Sequence, residues 1–220
     1  MIRICVFDLD GTVLNTIYAL QRSVNLTMAE FSLPGIDVAH TKLFVGTGSY
    51  NLIRKTLLFN GDSELKNLDR AYHRYLEIFS ENCNYMVKPY EGMPEAIREL
   101  QKKGMKTAVL SNKPQERVED NIFSTYGRNF FDVVYGERKG IPLKPDPAGL
   151  LALLKEFGAA PEECLYFGDT KTDMAAGKNA GTVTIGVLWG FRGREELEEY
   201  HPYTILEDPS VIPGLLDRNL

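Results

Sequence analysis

Asp8 and Asp10 stand one residue apart at the end of a short apolar run, residues 2–7, with Gly11 directly behind them. Three more polar sets follow similar punctuation. Ser111 and Asn112 come after residues 106–110, Lys144 opens a Lys-Pro-Asp-Pro stretch, and Asp169 follows residues 164–167 with Asp173 four positions on. Four carboxylates, a hydroxyl and a lysine would converge if these runs were neighbouring strands. Carboxylates crowded into one crevice raise each other's pKa unless a cation offsets them. An all-oxygen donor set suits a hard divalent ion, and Mg²⁺ above all, because it takes few carboxylates and shares its shell with a phosphate. A lysine and a hydroxyl beside it make a seat for an anion with several oxygens. The chemistry that uses all of these parts is phosphoryl transfer.

The elements that must position them read as α/β. Residues 2–7 form a short run rich in β-branched and aromatic residues that ends at a glycine turn, the pattern of a buried parallel strand. Asn15 or Thr16 is placed to cap a helix that runs to about Phe31 and stops at Leu33-Pro34-Gly35. From there to about Met86 only helical periodicity is visible: a short segment at 38–44, a helix opened by the turn Gly46-Thr47-Gly48, and another over 63–82. Beyond Pro94 strands and helices alternate. Strands are expected at 106–110, 131–135, 164–167, 183–187 and near 203–206, with helices between them and a last one at 209–217. Such alternation implies a doubly wound, Rossmann-like three-layer core with a parallel sheet. The helical stretch interrupts it. The expected division is a core of residues 1–15 plus 87–220 and an inserted all-helical cap of residues 16–86. In an open parallel sheet the ligand site lies beyond the carboxyl ends of the strands, where all the polar sets above fall.

Composition narrows the partners. The chain has 220 residues, a net charge of −5 and 25% charged residues. No strongly basic face is visible, so nucleic acid is not an expected partner. No run approaches the ~18 apolar residues of a membrane span. The first apolar run is broken by Asp8 and Asp10 and does not read as a signal peptide. Cys5, Cys83 and Cys164 are odd in number and far apart, which fits reduced, buried thiols and a cytoplasmic location.

FDLDGTVLNT resembles the first motif of the haloacid dehalogenase superfamily of phosphohydrolases. LSNK resembles its second motif, KPDP its third and GDTKTDMAAGKNAG its fourth, in order and along nearly the whole chain. The helical stretch is similar to that superfamily's α-helical cap, and TIGVLWGF resembles its phosphoglycolate phosphatase-like branch. The resemblance implies Asp8 as the nucleophile that forms an aspartyl-phosphate. It implies Asp10 as general acid/base, with its backbone carbonyl a metal ligand. It implies Asp8, Asp169 and Asp173 as side chains around Mg²⁺, with Asp173 binding the ion directly or one step removed. Ser111, Asn112 and Lys144 are the expected phosphate-binding residues. The family often shows Asp-Ser where this chain has Asn15-Thr16; both pairs can cap a helix.

The implied activity is hydrolysis of a small phosphorylated metabolite, 2-phosphoglycolate by branch, by a monomer or homodimer. A β-phosphoglucomutase-type phosphomutase, a sugar phosphatase and a pyrophosphatase use the same core. Dehalogenation needs neither Asp10 nor Asp169, and phosphonate cleavage needs a cap lysine, for which Lys42 and Lys55 are present. A scaffold retired from catalysis would have lost its nucleophile or metal ligand, and neither is missing. In the cap, Gly46, Thr47 and Gly48 open a helix whose N-terminus can attract an anion, so this turn and Arg54 are candidates to meet the far end of the substrate. Read singly, the acids fit solvated turns or helix-start charges, Ser111 a helix cap, and Lys144 a surface lysine.

Overall fold

The computed structural model describes residues 1–217. The first strand, β1 (Ile4–Phe7), is buried along its whole length, as a central parallel strand must be. Two residues of β2 (Leu14–Asn15) lead into helix α1 (Ile17–Glu30), and α2 (Val38–Phe44), α3 (Ser49–Phe59) and α4 (Leu68–Asn82) follow. The chain returns through β3 (Lys88–Pro89), which pairs antiparallel with β2. Both crossings between the helical segment and the sheet therefore run side by side in a ribbon of two short strands. Then come α5 (Met93–Lys102), β4 (Lys106–Pro114), α6 (Gln115–Thr125), β5 (Val133–Glu137), α7 (Ala148–Glu156), β6 (Cys164–Gly168), α8 (Lys171–Ala180), β7 (Val183–Val187), α9 (Arg194–Glu198) and β8 (Thr204–Leu206).

Six strands form one sheet in the order β5-β4-β1-β6-β7-β8, with every neighbouring pair parallel. Helices cover both faces over two separate apolar clusters. Phe7, Leu9, Val109, Phe167 and Ile185 belong to one; Ile4, Val6, Leu110, Leu153 and Tyr166 belong to the other. The helical segment packs on its own cluster, in which Val24, Met28, Ile53, Leu57, Tyr75 and Phe79 are buried. The chain leaves β1 toward β4 on one side and later continues from β6 on the other, so strand order reverses at β1. That crevice, at the carboxyl ends, is where a doubly wound sheet offers a site.

Several boundaries differ from the sequence reading. β4 does not stop at Leu110 but continues through Ser111, Asn112 and Lys113, all buried. Polar residues do not look like a strand, yet tertiary partners satisfy Asn112 and Lys113. The helix expected from residue 63 starts at Leu68, because Leu65 has a positive φ of 53° and turns the chain. Residues 209–217 form a 3-10 helix rather than an α-helix, with Pro213 inside it removing a backbone donor. The β2–β3 ribbon carries no recognisable strand pattern. All three cysteines are buried and free, and no helix of the described residues is long and apolar enough to cross a membrane.

Candidate active site

Asp8 continues β1, its N–H donating to Phe167 O at 2.8 Å. The loop behind it is tight, because Thr12, Val13 and Leu14 all direct their N–H groups to Leu9 O. Leu9 is buried in the apolar core, while Asp8 and Asp10 line the crevice on the other side. Side-chain alternation along an extended chain separates them in this way. Gly11 makes the turn possible. Its φ is +89°, and a Cβ there would overlap the Asp169 carboxylate. Gly11→Ala is therefore expected to lower stability by about 1–3 kcal/mol from backbone strain alone, read as a fall in the denaturant midpoint. A midpoint equal to that of the natural chain would contradict this role.

β6 delivers Asp169, whose Oδ2 accepts the Phe191 N–H at 2.7 Å. Its Oδ1 is buried with no partner among the described residues. Asp173, on the first turn of α8, is spent differently. Its Oδ1 accepts from Lys144 Nζ at 2.7 Å and Tyr166 Oη at 2.9 Å, and its Oδ2 from Thr170 Oγ1 at 2.8 Å. Lys144 also donates to Asp8 Oδ1 at 2.7 Å and Leu110 O at 3.0 Å, so its three donors are all used. Asn112 clamps the Lys144 backbone: its Oδ1 accepts the Lys144 N–H and its Nδ2 donates to Lys144 O, both at 2.8 Å. The same amide donates to Gly46 O at 3.1 Å. The Asn112 side chain thus holds backbone on both sides of the crevice. Ser111 Oγ accepts the Lys113 N–H at 3.3 Å and lines the cavity.

The charge balance of this cluster is unfavourable as it stands. Burial, and after it the Asp173 carboxylate, push Asp8 up to about 7 against the pull of Lys144. Burial, then Asp173 and Asp8, hold Asp169 well above the ordinary carboxylate range. For Lys144, burial opposes the charge but Asp173 and Asp8 outweigh it, so the ammonium is retained. Asp8, Asp169 and Asp173 each present a carboxylate oxygen within 4.8 Å of the others. An orphaned carboxylate oxygen among all-oxygen donors that repel one another is the arrangement a hard divalent cation fits.

Two residues at the site escaped the sequence reading. Lys113 is buried and donates from Nζ to Asp10 Oδ1 at 2.6 Å. Thr16 makes no helix-cap hydrogen bond; its hydroxyl donates to the same Asp10 oxygen. The alternation that pairs Asp8 with Asp10 would have paired Ser111 with Lys113, had β4 been extended.

Over the crevice lies the turn before α3. Gly46 and Gly48 line the cavity together with Leu20, Val45, Leu52 and Phe191, and its volume is about 40 Å³. Gly48 has φ +90°, and a Cβ there would stand 2.9 Å from Leu143 Cδ1, so the turn sits close against the loop that carries Lys144. Thr47 faces elsewhere: its Oγ1 accepts from Lys55 Nζ at 3.4 Å. Lys42, Lys55 and Arg54 are not among the described residues lining the cavity. Arg192 ties the two sides, its guanidinium donating to Leu43 O at 3.2 Å and Val45 O at 3.1 Å.

A model of the haloacid dehalogenase-like hydrolase family matches residues 5–187. A phosphoglycolate phosphatase of Aquifex aeolicus is 31% identical over 222 residues, spanning 99% of this chain and 98% of that protein. One from Haemophilus influenzae is 30% identical over 219 residues, spanning 96% of each. In fold, the chain superimposes with a TM-score of 0.90 on the crystal structure of a predicted phosphoglycolate phosphatase from Haemophilus somnus, at 23% identity and 98% coverage of both chains.

Proposed function

The chain belongs to the haloacid dehalogenase-like hydrolase family, and we propose that it is a Mg²⁺-dependent phosphatase that hydrolyses 2-phosphoglycolate through an aspartyl-phosphate on Asp8. The observation that carries the reading is the pairing of the two acids with different partners in one cavity. Asp8 is held by Lys144, and Asp10 by Lys113 and Thr16. In the first step Asp8 Oδ attacks phosphorus while the bond to the leaving oxygen breaks, and Asp10 gives its proton to that oxygen. In the second, Asp10 takes a proton from water as the water oxygen bonds to phosphorus and the Asp8–phosphorus bond breaks. The products are an alcohol and inorganic phosphate, with both acids restored. Splitting one hydrolysis into two displacements lowers each barrier.

Ser111 is assigned to the phosphate oxygens, and Lys144 to them by exchanging one of its three present acceptors, Asp8, Asp173 and Leu110 O, for the phosphate. The Asn112 side chain, fully engaged with backbone, is assigned to hold Lys144 in place. Asp8 and Asp169 would hold Mg²⁺ with the Asp10 carbonyl, while Asp173, saturated by protein donors, keeps Lys144 charged and oriented. When bound, the ion would neutralise phosphate charge and polarise the phosphoryl group. Residues 16–86 are assigned as a cap that excludes water from a core of residues 1–15 and 87–220. The N–H groups at the start of α3, beside Gly46 and Gly48, suit the carboxylate of phosphoglycolate.

Phosphate release from a panel of 2-phosphoglycolate, sugar phosphates, nucleotides and pyrophosphate with Mg²⁺ tests the substrate. Phosphoglycolate is expected to give the highest kcat/KM; a dominant preference for pyrophosphate or a hexose phosphate would overturn that choice. Thermal stability tests the metal. Asp8 is raised from 3.8 to about 7, so its bound proton favours the folded state at low pH, and that contribution is lost as pH climbs from about 4 through 7. A cation can replace the missing proton. The rise in melting temperature produced by Mg²⁺ is therefore expected to be several degrees larger at pH 8 than at pH 5. Equal shifts at the two pH values would remove Asp8 from the metal site.

A further inference from the structure

We propose that Lys113 is a positioning residue that fixes Asp10 for its two proton transfers. The inference rests on Asp10 as acid and base, and goes beyond it by naming what aims that group. The Lys113 side chain is only 3% exposed. A buried ammonium is costly unless it is paired and hydrogen-bonded, so its placement needs a partner to justify it. It has one in Asp10 Oδ1 at 2.6 Å and a second in Asn121 Oδ1 at 2.8 Å. Asn121 is itself pinned, its Nδ2 donating to Cys83 O and Asn84 Oδ1, each at 2.8 Å. The Phe79 ring lies 5.4 Å from the ammonium and closes the remaining side. Lys113 is thus a rigid strut anchored on α6 and on the end of α4.

The geometry at Asp10 gives the strut its consequence. Lys113 and Thr16 both donate to Oδ1. Oδ2 has no donor among the described residues, and the carboxylate lines the cavity. One oxygen is clamped and the other is left to carry the proton. Lys144 serves Asp8 in a parallel way, so each acid has its own lysine. The division also fits two alternate polar positions of one strand, with Asn112 between them: Ser111 is directed to the phosphate and Lys113 to the acid beside the leaving group.

The test compares Lys113→Met and Lys113→Arg with the natural enzyme in Mg²⁺, using 2-phosphoglycolate and p-nitrophenyl phosphate in rapid-quench experiments. A nitrophenolate leaves without help from an acid, whereas an alkoxide needs one. Water attack on the aspartyl-phosphate needs Asp10 as base whichever ester came first. With phosphoglycolate, Lys113→Met is expected to lower kcat about 100-fold, the usual cost of misplacing a catalytic group by an ångström, with KM nearly unchanged. With p-nitrophenyl phosphate its first turnover is expected to keep near the natural rate, followed by a steady rate about 100-fold slower. Lys113→Arg is expected to recover part of the loss. Lys113→Gln is measured in parallel, and melting curves establish that the variants are folded. An unchanged kcat in the neutral variants overturns the proposal. So does an equal loss on both esters with no fast first turnover, because that is what a structural role alone produces. Should the natural enzyme release phosphate from neither ester, the proposed function fails, and this assignment with it.

Discussion

Asp8→Asn is expected to leave a folded protein that releases no phosphate, with turnover lower by roughly four to six orders of magnitude, the scale of removing a covalent nucleophile. The amide matches the carboxylate in shape but is too weak a nucleophile to take up a phosphoryl group. The rest of the cluster should survive. Lys144 keeps Asp173 Oδ1 and Leu110 O, and Asp173 keeps Tyr166 and Thr170. Asp8 is a buried acid among acids, already pushed up to about 7 by burial and then by Asp173. Removing its charge relieves repulsion on Asp169, for which Asp8 is a named cause of the upward shift. The melting temperature of the metal-free variant should then equal or exceed that of the natural chain at pH 8. Acid-quenched enzyme gives a second reading: the natural chain is expected to carry a phosphoryl adduct during turnover and the variant to carry none. Activity within tenfold of the natural enzyme would falsify the assignment of Asp8. A variant that is inactive but also unfolded would contradict the claim that the neighbours hold the site without it.

The sequence made the sheet legible for a physical reason. A parallel strand covered on both faces needs apolar residues throughout, and runs such as ICVF and CLYFG meet that need without tertiary information. Glycine and proline then mark where each run must stop. The chemistry was legible for a related reason. Asp8, Asp10 and Asp169 stood out as carboxylates at the ends of buried strands and Lys144 as the head of a Lys-Pro-Asp-Pro stretch; singly each fits a solvated turn or a surface lysine, and it is their convergence on one sheet edge that points to chemistry. What stayed hidden depended on partners distant in sequence. The extension of β4 and the place of Lys113 in the site stayed hidden because Asn112 and Lys113, polar and buried, are satisfied by Lys144, Asp10 and Asn121. Thr16 stands at a helix start, where Thr reads as a cap; its hydroxyl is drawn away by a carboxylate six residues back. Thr47 lies in the turn over the cavity yet is directed toward Lys55. Nothing local distinguishes it from Gly46 and Gly48. Residues of the helical segment are harder to read than those at the strand ends, since their role depends on how that segment is set against the sheet.

Asp10→Asn is expected to lower turnover on 2-phosphoglycolate by roughly 10²–10⁴-fold, the range of general acid–base catalysis, while leaving Mg²⁺ affinity within a few-fold. The variant keeps an oxygen that can accept from Lys113 and Thr16, so the orientation of the side chain survives and only the transferable proton is lost. Lys113→Met does the reverse, keeping the proton and losing the orientation. The two changes act on one event, and their effects should not add. Asp10→Asn combined with Lys113→Met should be little slower than Asp10→Asn alone, because a group that can no longer transfer a proton gains nothing from being aimed. Full additivity in that cycle would mean that Lys113 works through something other than Asp10. Metal titration by calorimetry separates a further error. The proposed ligand from this residue is its backbone carbonyl, which the substitution leaves in place. A large drop in Mg²⁺ affinity for Asp10→Asn would show that its carboxylate belongs to the metal, and that the proton must be carried by another group in the cavity.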